Sequence, residues 1–277
     1  MKYIFAVDLD GTLLNDEAKL NKKTIEFVRN LDKDEYKFVL TTGRPYLGMI
    51  QFYKELGLDT YVICNSGTSV LLPNSDFKPI NHNIEKSLFL AFYNKSLDLL
   101  ESAIFTDNYD CYIYNKLYNN EFFKHIQEGA NVIDGDYNKT IKDGPSGGLF
   151  ILKNGCHEKF MENAKEFSDK IGVRCWGNFY GCDYYEFYQM GFNKSTSLYD
   201  LLSLYDAKLE QLVCFGDSIN DVEMLTMNHN GVCMINGKDE VKKYASFVTK
   251  YDNNHDGVVE YIKELIKANW LSLSFIF

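Results

Sequence analysis

Residues 1–16 read MKYIFAVDLDGTLLND, and the fold turns on how this stretch is understood. Tyr3 to Val7 form a short apolar run with no polar alternation, the pattern of a strand buried on both faces. The run ends directly in Asp8 and Asp10. Two carboxylates at the end of a buried strand disfavour each other's charge, and burial adds a desolvation cost. A compensating positive group is therefore expected from elsewhere in the chain.

Outward from this strand the chain alternates strands and helices. Asn21 is positioned to cap a helix reaching Leu31, and Tyr36–Leu40 reads as a second strand. Pro45 opens a helix that stops at Gly57, and Tyr61–Cys64 is a third short strand. The C-terminal portion repeats the rhythm, with strands at Leu212–Phe215, Gly231–Ile235 and Ser246–Thr249. Its helices are expected at Asp221–Met227, Asp239–Tyr244 and Gly257–Lys267. Such alternation predicts an α/β fold, a Rossmann-like, doubly wound parallel sheet. The middle differs, being rich in Tyr and Phe, with strand-like Gly148–Lys153, Val173–Trp176 and Asp183–Tyr188 and helices near 85–100 and 157–170. It reads as an inserted α+β domain over 82–188, leaving 1–81 and 189–277 as the core.

Composition narrows the function classes. The chain has 277 residues, 45% hydrophobic and 25% charged, with a net charge of −10. That balance argues against a nucleic-acid partner, and no apolar run is long enough to span a membrane. No signal-peptide pattern opens the sequence, so a cytoplasmic protein is expected. Seven cysteines without CxxC pairs fit reduced thiols, and five scattered histidines form no zinc motif. The Asn-x-Ser/Thr matches at Asn94, Asn138 and Asn193 are read as chance.

Ligands of open parallel sheets bind beyond the carboxyl ends of the strands. The residues just past the expected strands are Asp8-Leu-Asp10-Gly11-Thr12, Thr41-Thr42-Gly43-Arg44, Asn65-Ser66-Gly67 and Gly216-Asp217-Ser218-Ile219-Asn220-Asp221. A single such cluster would be read as a polar turn; four at successive strand ends point to one site. Asp8, Asp10, Asp217 and Asp221 are hard oxygen donors suited to Mg²⁺ together with substrate phosphate. Gly11 and Gly43 let backbone N–H groups approach an anion, and Thr42 offers a hydroxyl. One aspartate can attack phosphorus while the other moves the proton. The spreading negative charge then calls for a lysine, and Lys194, at a helix start just after the insert, is the candidate. Taken alone, Lys194 reads as a solvent-facing helix residue; its place just after the insert and before GDSIND brings the functional reading level with that one.

Together, DLDGTLL, TTGR, GFNKSTSL and FGDSINDVEML, in this order, resemble the four motifs of haloacid dehalogenase superfamily phosphatases. The later Gly231-Val-Cys-Met-Ile-Asn-Gly run and His255-Asp256-Gly257-Val258 are similar to the Cof-type subgroup. The resemblance implies Asp8 as nucleophile and metal ligand, and Asp10 as general acid/base giving its carbonyl to Mg²⁺. It implies Thr42 and Lys194 on the phosphoryl group, Asp217 on the metal, and Asn220 and Asp221 completing that environment. The insert would be the α/β cap that selects the leaving group. Gly11, Gly43, Arg44 and Asn65 are candidate phosphate or substrate contacts, although Arg44 could equally pair with a core carboxylate.

The expected activity is Mg²⁺-dependent hydrolysis of small phosphorylated metabolites, sugar phosphates by default. A phosphomutase-like transferase and a non-catalytic phospho-ligand sensor are the alternatives. The aromatic run Cys175–Tyr188 is read as ordinary strand packing, with a stacking platform the competing view. Asp252–Gly257 reads as a turn and helix start rather than a calcium loop. Residues 270–277 alternate as a strand would; monomer and homodimer both stay open.

Overall fold

The computed structural model describes residues 1–106, 110–115, 131–134 and 137–274. Its strands, in chain order, are β1 (Tyr3–Val7), β2 (Tyr36–Leu40), β3 (Val62–Cys64), β4 (Ser69–Leu71), β5 (Ile80–Asn81), β6 (Leu100–Thr106), β7 (Asp110–Tyr114) and β8 (Asn131–Asp134). These are followed by β9 (Gly147–Leu152), β10 (Ile171–Phe179), β11 (Cys182–Gln189), β12 (Leu212–Gly216), β13 (Gly231–Cys233) and β14 (Phe247–Val248).

A five-stranded parallel sheet has the order β14-β13-β12-β1-β2, so the apolar N-terminal strand sits between two partners. Ile4, Phe5, Ala6 and Val7 are fully buried. Phe5 and Val7 join a cluster with Phe38, Val213 and Phe215, while Ile4 and Ala6 join another with Leu198, Leu201 and Cys214. Alternate side chains of one strand thus enter two apolar layers, which is the doubly covered sheet that an unbroken apolar run implies. In register, Val7 lies opposite both Phe215 and Leu40. Asp8, Thr41–Thr42 and Gly216–Asp217 therefore leave the sheet at the same edge.

A six-stranded sheet, β10-β11-β9-β6-β7-β8, is antiparallel except for the β7–β8 pair. One face packs on helices Lys86–Ser96 and His157–Lys165 through Phe89, Phe92, Phe150, Phe160 and Phe187. The other carries a smaller cluster of Ile104, Leu149, Ile151 and Tyr184.

Several sequence expectations change. β3 belongs to a three-stranded antiparallel sheet with β4 and β5, and touches the parallel sheet through one Thr41–Ile63 bridge. The helix expected at Asp221–Met227 is a 3₁₀ turn, Ile219–Asp221, followed by the short helix Val222–Leu225. β10 is longer than expected because it pairs along its length with β11. The closing helix runs Gly257–Ser274 rather than yielding to an extended tail, and 275–277 lie outside the described residues. The Asp252–Gly257 segment is a turn, with Asp252 accepting from the His255 N–H before the helix begins.

Candidate active site

Lys194 is the first residue of the helix Lys194–Leu204 and is completely buried. Asn193 caps that helix by accepting from the Ser195 and Thr196 N–H groups, and Thr196 Oγ1 accepts in return from the Asn193 N–H. The capped start is also held from the other side. Gly67, at φ +100°, lies against it so closely that a Cβ would fall 2.1 Å from the Asn193 carbonyl. The lysine therefore enters the core with a fixed direction, and the solvent-facing alternative is excluded.

Its ammonium donates to Asp8 Oδ1 and to Asp221 Oδ1, both at 2.6 Å. Asp8 is 5% exposed and Asp221 is fully buried. Burial works against the charge on Lys194, yet Asp221 and Asp8 outweigh it and hold the amine protonated beyond the ordinary lysine range. For Asp8 the balance differs: burial raises its pKa well above the usual value, with Lys194 opposing and the neighbouring aspartates reinforcing the rise.

Asp221 has a second task. Its Oδ2 accepts from the backbone N–H groups of Asp217 and Ser218 at 3.0 and 2.9 Å, which shapes the loop after β12. Asp217 is thereby turned toward Thr12, whose hydroxyl donates to Asp217 Oδ1 at 3.0 Å. Burial, with Asp221 adding to it, pushes the Asp217 pKa up to about 6. Gly11, at φ +75°, presses on the same group, since a Cβ there would lie 2.5 Å from Asp217 Oδ2. Both the backbone angle and the contact call for glycine.

Carboxylate oxygens of Asp8, Asp217 and Asp221 all lie within 4.8 Å of one another. Fully ionised, three such groups against one ammonium would carry an excess of two negative charges (three minus one). Hard oxygen donors of this kind fit a divalent cation, which would offset the burial and the added repulsion that raise Asp8 and Asp217.

Asp10 stands apart from this trio. Arg44 grips it with two parallel bonds, Nε to Oδ2 at 2.7 Å and the terminal nitrogen to Oδ1 at 2.5 Å. The expected group of four carboxylates is thus three plus one, because the fourth has its own counter-charge. Arg44 also lies over the Phe52 ring and donates to the Gly48 carbonyl. Thr42, 1% exposed, accepts from the Arg44 N–H.

A cavity of about 620 Å³ opens over these groups. Asp8, Asp10, Gly43, Arg44, Asn65, Asp217 and Asn220 border it. Thr42, Lys194 and Asp221 are buried behind them, and Gly11 supports Asp217. The opposite wall comes from the six-stranded sheet; the sequence offered Trp176, Phe179 and Glu186 only as members of an aromatic run, and gave Arg174 no role. Glu186, 7% exposed, accepts from Ser66 Oγ at 2.7 Å, tying β11 to the turn after β3. Its second oxygen accepts from Trp176 Nε1 at 3.2 Å and Arg174 at 3.4 Å. Lys238 borders the same cavity. The available signal was an acid facing an arginine across an otherwise aromatic strand pair. Ordinary packing does describe Tyr184, Tyr185 and Phe187, but Trp176 and Phe179 are 42% and 48% exposed and border the cavity, so the plain reading of that run is corrected there.

The family model for haloacid dehalogenase-like hydrolases matches residues 5–262. A Bacillus subtilis 5-amino-6-(5-phospho-D-ribitylamino)uracil phosphatase, YitU, is 28% identical over 95% of this chain and 97% of its own. The Escherichia coli pyridoxal phosphate phosphatase YbhA is 24% identical over 94% and 97%. Among solved structures, a haloacid dehalogenase-like hydrolase from Bacteroides thetaiotaomicron superposes with a TM-score of 0.82 at 22% identity, covering 96% of this chain and all of that one.

Proposed function

The chain belongs to the haloacid dehalogenase-like hydrolase family and is a phosphoric monoester hydrolase; from that premise we propose that it cleaves small phosphorylated metabolites with Mg²⁺ through an aspartyl-phosphate on Asp8. The observation that carries this reading is Lys194, fully buried and bonded to both Asp8 and Asp221 beside Asp217. A buried ammonium fixed on Asp8 is placed both to orient that carboxylate and to meet negative charge developing beside it.

In the proposed cycle Asp8 attacks phosphorus and the ester oxygen departs with a proton from Asp10. Asp10 then takes a proton from the water that hydrolyses the phosphoaspartate. Lys194 orients Asp8 and neutralises charge on the transferring group, and Thr42 and the Gly43 backbone face it. Asp8, Asp217 and the Asp10 carbonyl would hold Mg²⁺, with Asn220 and Asp221 steadying that set. When bound, Mg²⁺ lowers the repulsion between the nucleophile and the phosphate and stabilises the charge that develops. Arg44 holds Asp10 as a carboxylate at the cavity rim; a phosphate dianion that takes the guanidinium frees Asp10 to pick up from solvent the proton it delivers to the leaving oxygen.

We read 82–188 as a cap over a core of 1–81 and 189–277, with the Glu186–Ser66 bond as one of its ties. The test is phosphate release from a panel of sugar and polyol phosphates, with and without Mg²⁺, beside Asp8→Asn. Full activity in Asp8→Asn would remove the covalent mechanism.

A further inference from the structure

The wall of the cavity opposite the carboxylates is built by a strand irregularity. In the β10–β11 pair, Arg174 faces Glu186 and Cys175 faces Tyr185, but the next partner of Tyr184 is Gly177. Trp176 is therefore an inserted residue, a β-bulge. Regular alternation from Arg174 would put 176 and 178 on its face and turn Phe179 away. The insertion shifts the phase by one, so Gly177 and Phe179 now share the face of Tyr184, and Trp176 is retained there. Arg174, Trp176 and Phe179 all border the cavity as a result.

Gly177 makes the bulge possible. Its φ is +124°, which a side chain rarely adopts, and a Cβ would stand 3.6 Å from the Phe179 ring. Both rings are held in place. Trp176 donates from Nε1 to Glu186, and Phe179 meets Tyr184 edge-on at 5.3 Å between centroids. Two large rings oriented in advance, 42% and 48% exposed and bordering the cavity, offer faces against which a flat group can stack.

The polar groups of this wall narrow the occupant. Glu186 is spent on Ser66, Trp176 and Arg174. Its neighbours Ile104 and Leu149 are apolar. Apart from Arg174, Thr106 and Tyr188, the described residues of this wall present mainly apolar surface, against which a leaving group made only of hydroxyls would gain little. Arg174 keeps guanidinium N–H groups beyond its one bond to Glu186, and these suit an acceptor on a ring edge.

We propose that Trp176 and Phe179 form a ring-binding wall, and that the preferred substrates are phosphomonoesters whose leaving group carries a flat conjugated ring with an acceptor edge facing Arg174. The proposal rests on the phosphatase reading above and narrows its substrate class.

Two matched pairs of esters test it: uridine 5′-monophosphate against ribose 5-phosphate, and flavin mononucleotide against ribitol 5-phosphate. Each pair differs by the ring alone. The ring-bearing member is expected to have the higher kcat/KM, by about tenfold or more. In Trp176→Leu that ratio should fall about tenfold, chiefly through KM. Binding gives a readout separate from turnover. The chain has two tryptophans, so Trp270→Phe leaves Trp176 as the reporter. In an Asp8→Asn, Trp270→Phe protein, uridine 5′-monophosphate should quench that fluorescence and ribose 5-phosphate should not. Equal kcat/KM within both pairs, with no quenching, overturns the ring-binding wall and leaves the phosphatase reading intact. Selective quenching with no phosphate release from any ester overturns the phosphatase reading and leaves the wall standing.

Discussion

The two walls of the cavity are built on opposite principles. On the parallel-sheet side, Asp8, Asp217, Asp221 and Lys194 are cross-tied by short charged hydrogen bonds and by glycines with no room for a Cβ. On the six-stranded side, Trp176 and Phe179 stand half exposed on a bulged strand, and a single buried carboxylate organises their surroundings. Chemistry demands fixed distances, so the first wall is over-determined. Among the described residues the second wall instead leaves two aromatic side chains partly exposed at the cavity.

That contrast can be broken by mutation, and the largest effect should come from Lys194→Met. It leaves Asp8 and Asp221 buried without their counter-charge, and breaking a buried pair in this way costs about 3–5 kcal/mol. Urea unfolding should show that loss, together with loss of phosphate release; a variant as stable as the parent would mean that the lysine is not the keystone. Asp8→Asn should separate the two properties. Activity is expected to drop by about 10⁴-fold or more. The metal-free Tm should rise, because the burial of that carboxylate and its repulsion by the neighbouring aspartates are both removed. A fall in Tm would show that the Asp8–Lys194 attraction outweighs that repulsion.

Across the cavity, Glu186→Gln should be milder. It weakens the charged bonds to Ser66, Arg174 and Trp176, so kcat/KM should fall about tenfold with little change in the unfolding midpoint of the parallel-sheet core. An effect as large as that of Asp8→Asn would place Glu186 in the chemistry rather than in the wall.

Asp217 links the carboxylate wall to pH. Its folded-state pKa of about 6 lies above the ordinary 3.8, so the folded protein holds that proton more tightly than the unfolded chain. The stabilising contribution is complete below the ordinary value and is lost as pH rises through about 6. Without metal, wild type should therefore lose stability relative to Asp217→Asn between about pH 4 and pH 7. Added Mg²⁺ should raise Tm more at pH 7.5 than at pH 5, because protons and metal compete for the same oxygens. A Tm response to Mg²⁺ independent of pH would contradict that linkage.

The smallest and sharpest comparison pairs two glycines of nearly equal φ, Gly11 at +75° and Gly155 at +77°. Gly11 abuts Asp217, whereas nothing lies within 4 Å of a Cβ at Gly155. Alanine at either should cost about 1–2 kcal/mol from the backbone alone. Only Gly11→Ala should also impair Mg²⁺ dependence, measured as the metal concentration for half-maximal rate.

Legibility in the sequence follows the same division. DLDGTLL and GDSIND stood out because acidic residues at fixed spacing beside a tight turn make a local pattern, whatever the rest of the chain does. The pairing of Asp10 with Arg44 was open in the sequence, since TTGR does not say which way the guanidinium turns. Glu186 and Trp176 carry no motif. Their meaning comes from one inserted residue in a strand and from the turn that Ser66 brings within reach.

The parallel sheet and the carboxylates at its edge were legible from the chain alone, because hydrophobic period and acidic residues at fixed spacing are local properties. Tertiary structure alone decided that Lys194 is buried rather than solvated, that three aspartates and not four share a cluster, and that two aromatic rings look into the cavity. Those outcomes depend on desolvation, charge pairing and strand register between residues far apart in the chain, which no local pattern encodes.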